Sequence, residues 1–105
     1  MIYKFNVPLF NAHVRVFLGD SEKQNYSKAC FKMTGKHAEF VGSKAQCCGS
    51  YIWMQYRDLG TLAHELTHFV DEFCSHFGIE EPSNEVRAYV MGWLVETIWK
   101  KMEVK

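Results

Sequence analysis

Two histidines with a glutamate directly after the first are the residues of this chain best suited to chemistry. They lie in the segment His64-Glu65-Leu66-Thr67-His68, an HExxH motif. On a helix, residues four apart lie about 40° apart around the axis and about 6 Å apart along it. Both imidazoles can therefore reach one zinc ion, while Glu65 points to the side and can accept a proton from water at the metal. The motif predicts a zinc site with His64 and His68 as ligands and Glu65 as general base.

Two histidines need a third protein ligand to hold zinc firmly. Glu85, Ala88 and Gly92 form one stripe on an otherwise bulky second helix. Small residues let two helix backbones approach closely, which would bring Glu85 to the histidines. Glu85 is therefore predicted as the third ligand, and the alternative is a first-turn carboxylate favoured by the helix dipole. Other carboxylates considered for this role are Glu80 and Glu81 in the connecting loop and Glu96 further along the helix.

Three neighbours of these residues are candidates for supporting roles. Asp71 shares the azimuth of the two histidines one turn further on, so we expect it to accept a hydrogen bond from His68. Tyr89 lies one turn from Glu85 and is a candidate for stabilising an oxyanion, with a tyrosine of the core as the alternative. Arg87 is expected at a solvated position.

The elements that must position these residues are predicted from periodicity. Strands are expected at residues 2–7, 13–18, 37–41 and 51–56, because these segments alternate or are rich in aromatic and β-branched residues. Ser21 is predicted to cap a helix over residues 22–33 that ends near Gly35.

Two C-terminal helices follow these strands. Asp58 can cap a helix that runs to about residue 77 and stops at Gly78, with the motif on its polar side. A second helix opens at Pro82, runs to about residue 102, and is apolar almost all round, so it must be covered on more than one side. The 105 residues thus predict a single α+β domain: a small twisted sheet, one upstream helix and two C-terminal helices that build the zinc site.

The motif segment and Glu85-Val86-Arg87-Ala88 resemble the gluzincin metallopeptidases, in which HExxH is followed by a glutamate in an ExxA or ExxxD setting. The similarity is greatest to the very short members, the minigluzincins and the small HExxH proteins often encoded by phages, and it covers about residues 51–99. It implies a zinc ion held by His64, His68 and Glu85, with Glu65 as base. Where the ExxxD form has an acid that orients a histidine, this chain has Tyr89, so either Asp71 takes that role or the zinc is held less rigidly.

The function expected from the motif and this resemblance is zinc-dependent hydrolysis of peptide bonds in a peptide or protein substrate. In the resembling enzymes an upstream edge strand pairs with extended substrate, and residues 51–56 or 37–41 are the predicted counterparts. The alternative is a zinc-bound interaction module, such as a phage-encoded inhibitor, with little or no turnover. The small size favours the module, whereas Glu65 favours the enzyme, because a structural zinc does not need that carboxylate.

The composition of the chain argues against several other classes of protein. The chain is 48% hydrophobic and 23% charged with a formal net charge of zero, which argues against a nucleic-acid binder and gives no attraction to a membrane surface. The first residues lack a signal-peptide pattern and no long apolar run is present, so the expected location is the cytoplasm. The four cysteines are therefore expected as free thiols.

Overall fold

Four strands and three α-helices make up the part of the chain that the computed structural model describes, residues 1–7, 12–76 and 84–103. Within these ranges, the side chains of residues 76, 84–86 and 103 lie outside the description. The elements follow in this order: β1 (Ile2–Val7), β2 (Ala12–Leu18), a 3-10 turn (Asp20–Glu22), α1 (Lys23–Thr34), β3 (Ala45–Cys48), β4 (Tyr51–Met54), α2 (Leu59–His76) and α3 (Asn84–Glu103). The predicted α+β class, with one upstream and two C-terminal helices, is confirmed.

The strands form one mixed sheet in the order β1-β2-β4-β3. β1 and β2 are antiparallel, β2 and β4 are parallel, and β3 and β4 are antiparallel. The chain between β2 and β4 contains α1 and β3, which provide the long connection that parallel strands require. In the described sheet, β1 and β3 are therefore the edge strands.

Both faces of the sheet are covered, because alternate side chains of each strand point to opposite sides. One face packs against α2 and α3 through a large apolar core that includes Phe5, Val16, Ile52 and Leu66. The other face packs against α1 through a smaller aromatic core, whose buried members are Phe17, Tyr26, Cys30 and Trp53. This arrangement fixes α2 on one side of the sheet and leaves its polar face toward solvent.

The helix ends match the predicted signals in two of three places. Gly35, with φ of 80°, closes α1, and Asp58 accepts a 2.8 Å hydrogen bond from the Thr61 N–H at the start of α2. Ser21 was wrongly predicted as the N-cap of α1. It lies inside the 3-10 turn, and the N-cap residue is Glu22, which makes no side-chain capping bond. The predicted helix end at residues 77–78 and start at 82–83 lie outside the described residues.

The predicted strand at residues 37–41 is wrong, and β3 takes its place. The Ala38 N–H bonds to the Ser27 hydroxyl, and the Phe40 ring packs against Trp53 with ring centroids 5.0 Å apart. The segment thus covers the aromatic core with its side chains instead of joining the sheet. β3 pairs with β4 through a two-residue turn that begins at Gly49, whose φ of 57° is the left-handed conformation that such hairpin turns favour.

No helix in the described ranges combines the length and apolar character needed to cross a membrane.

Candidate metal centre

The motif lies on α2 at the boundary between its buried and exposed faces. Leu62, Leu66 and Phe69 are buried against the sheet at the 3.6-residue spacing of an amphipathic helix. His64 and His68 lie on the opposite side of that boundary and are exposed. The Asp58 cap begins the helix six residues before His64, so the first turn of α2 and its packing on the sheet together position the motif.

The two histidine rings lie close together on one face of α2. Their centroids are 5.1 Å apart and the rings are nearly perpendicular, at 81°. Imidazole nitrogens are good zinc donors, and two of them separated by one helical turn can approach the same ion. The two rings are thus close enough to share one ion, and their role as zinc ligands stays a prediction.

Glu65 has a different environment from the histidines that flank it. Its side chain is only 6% exposed, and it is the single buried charged residue of the described chain. Burial raises the pKa of its carboxyl above the ordinary value, and the positive charges of His64 and His68 oppose this rise. A raised pKa makes a carboxylate a stronger base, which favours a role in accepting protons.

Glu65 and His68 open onto a cleft of about 590 Å³ between α2 and the edge strand β3. Its walls combine α2 with β3 and the adjoining turns, through Ser43, Gln46, Cys47, Gly49, Glu65, His68, Asp71 and Glu72. The predicted edge strand at residues 51–56 is wrong, because β4 lies in the interior of the sheet between β2 and β3. Within the described sheet, the edge strand that borders the motif is β3.

Cys47 is the cysteine of β3 that lines this cleft, and no role was predicted for it from the sequence. Its pKa is raised to about 12, chiefly by burial and further by the negative charges of Glu65 and Glu72. The side chain is thus a neutral thiol near pH 7, and a thiol is a poor zinc ligand until it is deprotonated. Side chains alternate along β3, so that Ala45 and Cys47 point toward α2. This alternation could have placed Cys47 beside the motif, but β3 was not predicted as a strand.

The described residues do not identify the third protein ligand of the predicted zinc site. In the described part of the chain, no three His, Cys, Asp or Glu side chains are grouped so that they could hold a metal ion. Glu85 is the second residue of α3, but its side chain is outside the description, as are Glu80 and Glu81 altogether. Glu96 is exposed and accepts a 2.9 Å hydrogen bond from Lys100. Glu85 stays the predicted third ligand.

The stripe of small residues on α3 does not pack against α2 as predicted. Ala88 and Gly92, the other members of the stripe with Glu85, are exposed, and among the described residues no atom of another element lies within 4 Å of a Cβ placed at Gly92. α3 instead packs inward through residues such as Leu94 and Ile98, which are fully buried. The stripe of small residues therefore does not bring α2 and α3 together.

Asp71 and Arg87 make the contact that the stripe was expected to make. Arg87 Nη1 of α3 donates a hydrogen bond to Asp71 Oδ1 of α2. The expectation that Asp71 serves His68 is wrong, because Asp71 binds Arg87 instead, and Arg87 remains partly exposed within this surface ion pair. No hydrogen bond between Asp71 and His68 is present in the described chain.

Tyr89 lies on the exposed side of α3. Its side chain is 80% exposed, so the alternative of a core tyrosine is wrong. Its role as an oxyanion-stabilising residue stays a prediction.

Compared with known protein families, with curated proteins and with solved structures, the chain matches none. The fold and the site define the protein only as a small α+β domain whose paired histidines and buried glutamate border an open sheet edge.

Proposed function

We propose that this protein is a zinc-dependent metallopeptidase that hydrolyses peptide bonds in a peptide or protein substrate. The observation that supports this most is the position of Glu65, a buried carboxylate between two exposed histidines, facing a cleft. Burying an ionisable group costs folding free energy. Buried carboxylates whose pKa is raised cluster at sites of proton transfer, which supports a catalytic role for Glu65.

Each residue of the proposed site has a separate role in hydrolysis. His64 and His68 supply nitrogen donors to the metal, and Glu85 is the predicted oxygen donor. Zinc, when bound, acts as a Lewis acid and lowers the pKa of water. Glu65 accepts the proton that the attacking water loses, and it can return that proton to the leaving amine when the carbon–nitrogen bond breaks. The products are one carboxylate and one amine, and Glu65 ends the cycle as it began.

The open edge of β3 supplies the means of holding a substrate. An edge strand presents unpaired backbone N–H and C=O groups, and an extended peptide can add to them as a further strand. β3 forms one wall of the cleft that Glu65 and His68 line, so a peptide paired with β3 would pass in front of both side chains. This favours an extended, unfolded segment as the substrate.

The experiment compares turnover by wild type, Glu65→Gln and Glu39→Gln on an unbiased peptide library, with zinc content measured for each protein. Glu39 is the control, because it is an exposed carboxylate that does not line the cleft. Wild type and Glu39→Gln should cut the same bonds, and Glu65→Gln should be slower by roughly 10²-fold or more. Cleavage by Glu65→Gln at the wild-type rate would overturn the proposal.

The free edge of β3 also suits the second candidate, a zinc-bound interaction module that pairs with a strand of another protein without cutting it. Tight binding of extended peptides by wild type, with zinc present and no bond cleaved, would favour the module over the enzyme.

A further inference from the structure

A second and larger cleft, of about 920 Å³, adjoins the one in front of Glu65. Gly49 and Glu72 line both clefts, and a Cβ at Gly49 would lie 2.9 Å from Met33 Cε of α1 and 3.9 Å from Glu72 Oε2. The boundary between the clefts is therefore the turn that ends β3. A peptide that follows the edge of β3 past Glu65 reaches the second cleft at this turn.

The sheet itself is incomplete beside this cleft. The pairing of β2 with β4 begins at Arg15 and Tyr51, so residues 12–14 of β2 have no partner on that side within the described sheet. Side chains from residues 12–14 line the cleft together with the Gly49 turn. The cleft is thus an opening between elements that are otherwise packed, and it is large enough for side chains of a bound peptide.

The charges of this cleft are unbalanced. Lys4 and Arg15 lie directly opposite each other on β1 and β2, an arrangement of like charges that destabilises a sheet. In the described chain no ion pair joins either of them to a carboxylate, and the Arg15 guanidinium lies over the Tyr51 ring at 5.5 Å. His13 adds a third basic group, and Glu72 is the one described carboxylate in the lining. The protein as a whole has a net charge of zero, so this basic region is local.

We propose that the second cleft is a specificity subsite that binds a carboxylate of the substrate through Arg15 and Lys4. This inference rests on the proposed function, since it names the class of peptide that the same site prefers. The Arg15 guanidinium can bind a carboxylate by two parallel N–H···O bonds, and the Lys4 ammonium adds a mobile point charge. The carboxylate is either an Asp or Glu side chain or the C-terminus of the peptide.

The test measures binding separately from cleavage. Zinc-loaded Glu65→Gln protein is titrated into fluorescein-labelled Gly-Ala-Phe-Ala-Ala-Glu-Ala amide, and fluorescence anisotropy gives the dissociation constant. Two further probes replace Glu by Gln, one ending in an amide and one in a free carboxylate. A carboxylate peptide should bind about fivefold more tightly than the neutral one, and high salt should remove the difference. The probe that gains affinity identifies which carboxylate the cleft binds.

Substitutions then locate the effect. Adding Lys4→Gln and Arg15→Gln to the Glu65→Gln protein should abolish its preference for the carboxylate probes. Adding Lys28→Gln and Lys36→Gln instead should preserve that preference, because those two lysines are exposed and line neither cleft. Lys4→Glu is a second variant that should fold at least as stably as wild type, since it places opposite charges across β1 and β2. It should lose the preference for the carboxylate probes.

Two results would overturn the inference: equal affinity for all three probes, including the case of no measurable binding to any, or a preference that survives the Lys4 and Arg15 substitutions. Failure of the proposed function looks different. If the carboxylate preference depends on Lys4 and Arg15 but the wild-type protein cuts no peptide, the subsite is supported and the peptidase function is refuted. If the protein cuts peptides but shows no carboxylate preference, the peptidase function is supported and the subsite is refuted.

Discussion

Arg87 of α3 donates a hydrogen bond to Asp71 of α2, and this contact joins the two C-terminal helices three residues beyond His68. It also fixes the first turns of α3, in which Glu85 lies two residues before Arg87. The pair is partly exposed, with the Arg87 side chain 33% and the Asp71 side chain 62% accessible. Its energetic contribution to folding is therefore small, and its importance lies in positioning.

The substitution Asp71→Asn should separate the effect of this contact on folding stability from its effect on zinc binding. The free energy of unfolding should fall by less than about 1 kcal/mol, because the ion pair is near the surface. Zinc affinity should also fall, because Asp71 holds Arg87 and with it the turn of α3 that carries Glu85. Glu96→Gln is the control, since it removes another exposed ion pair of α3, with Lys100, away from the motif. Equal zinc affinity in wild type and Asp71→Asn, measured by competition with a chelating dye, would contradict this positioning role.

The metal content of the purified protein is a separate prediction. Protein prepared without chelator should contain about one zinc per chain, because paired imidazoles with a carboxylate suit this ion. Elemental analysis measures the ratio directly. The thiols of Cys47 and Cys48 are a possible second binding site, so the measurement is repeated on a Cys47→Ser, Cys48→Ser protein. A ratio near zero in both proteins, with no zinc uptake after dialysis against the metal, would refute the site.

The start of α2 should make stability depend on pH. The Thr61 hydroxyl and N–H both donate to Asp58, and these hydrogen bonds lower the pKa of its carboxyl. A carboxyl whose folded pKa is lowered stabilises the fold above its unfolded pKa, about 3.9, and this contribution disappears as the pH falls through the folded value. The thermal midpoints of wild type and Asp58→Ala should therefore differ near pH 7 and converge as the pH falls through the folded pKa of Asp58. A difference that stays constant across this range would contradict the argument.

Sequence reasoning predicted the parts of this protein that are encoded locally. The alternation in β1 and β2, the Asp58 cap and the helical spacing of Leu62, Leu66 and Phe69 each place an element without reference to the rest of the chain. The HExxH motif belongs to the same group, because its geometry depends on one helical turn. These local features were enough to predict the α+β class and the placement of His64, Glu65 and His68 on one helix.

The errors concern contacts between distant segments. Residues 37–41 have a strand-like composition, but Phe40 gains more by covering Trp53 and Tyr26 than by joining the sheet. β3 is short and only partly buried, so its pattern was too weak to predict, and with it the edge beside Glu65 was missed. The pairing of Arg87 with Asp71 depends on how α2 and α3 cross, which neither helix specifies alone.

The last prediction distinguishes the two glutamates assigned to the site. Glu65→Gln keeps shape and hydrogen bonding but cannot accept a proton, so zinc content and fold should be nearly unchanged while hydrolysis falls by roughly 10²-fold or more. Glu85→Ala should instead weaken zinc affinity strongly and lower the thermal midpoint of the zinc-loaded protein, because bound zinc stabilises the fold by linkage. Paired zinc titrations and turnover assays measure both effects. Loss of zinc in Glu65→Gln but not in Glu85→Ala would reverse the two assignments. Retention of zinc in both would transfer the third-ligand role to Glu80 or Glu81.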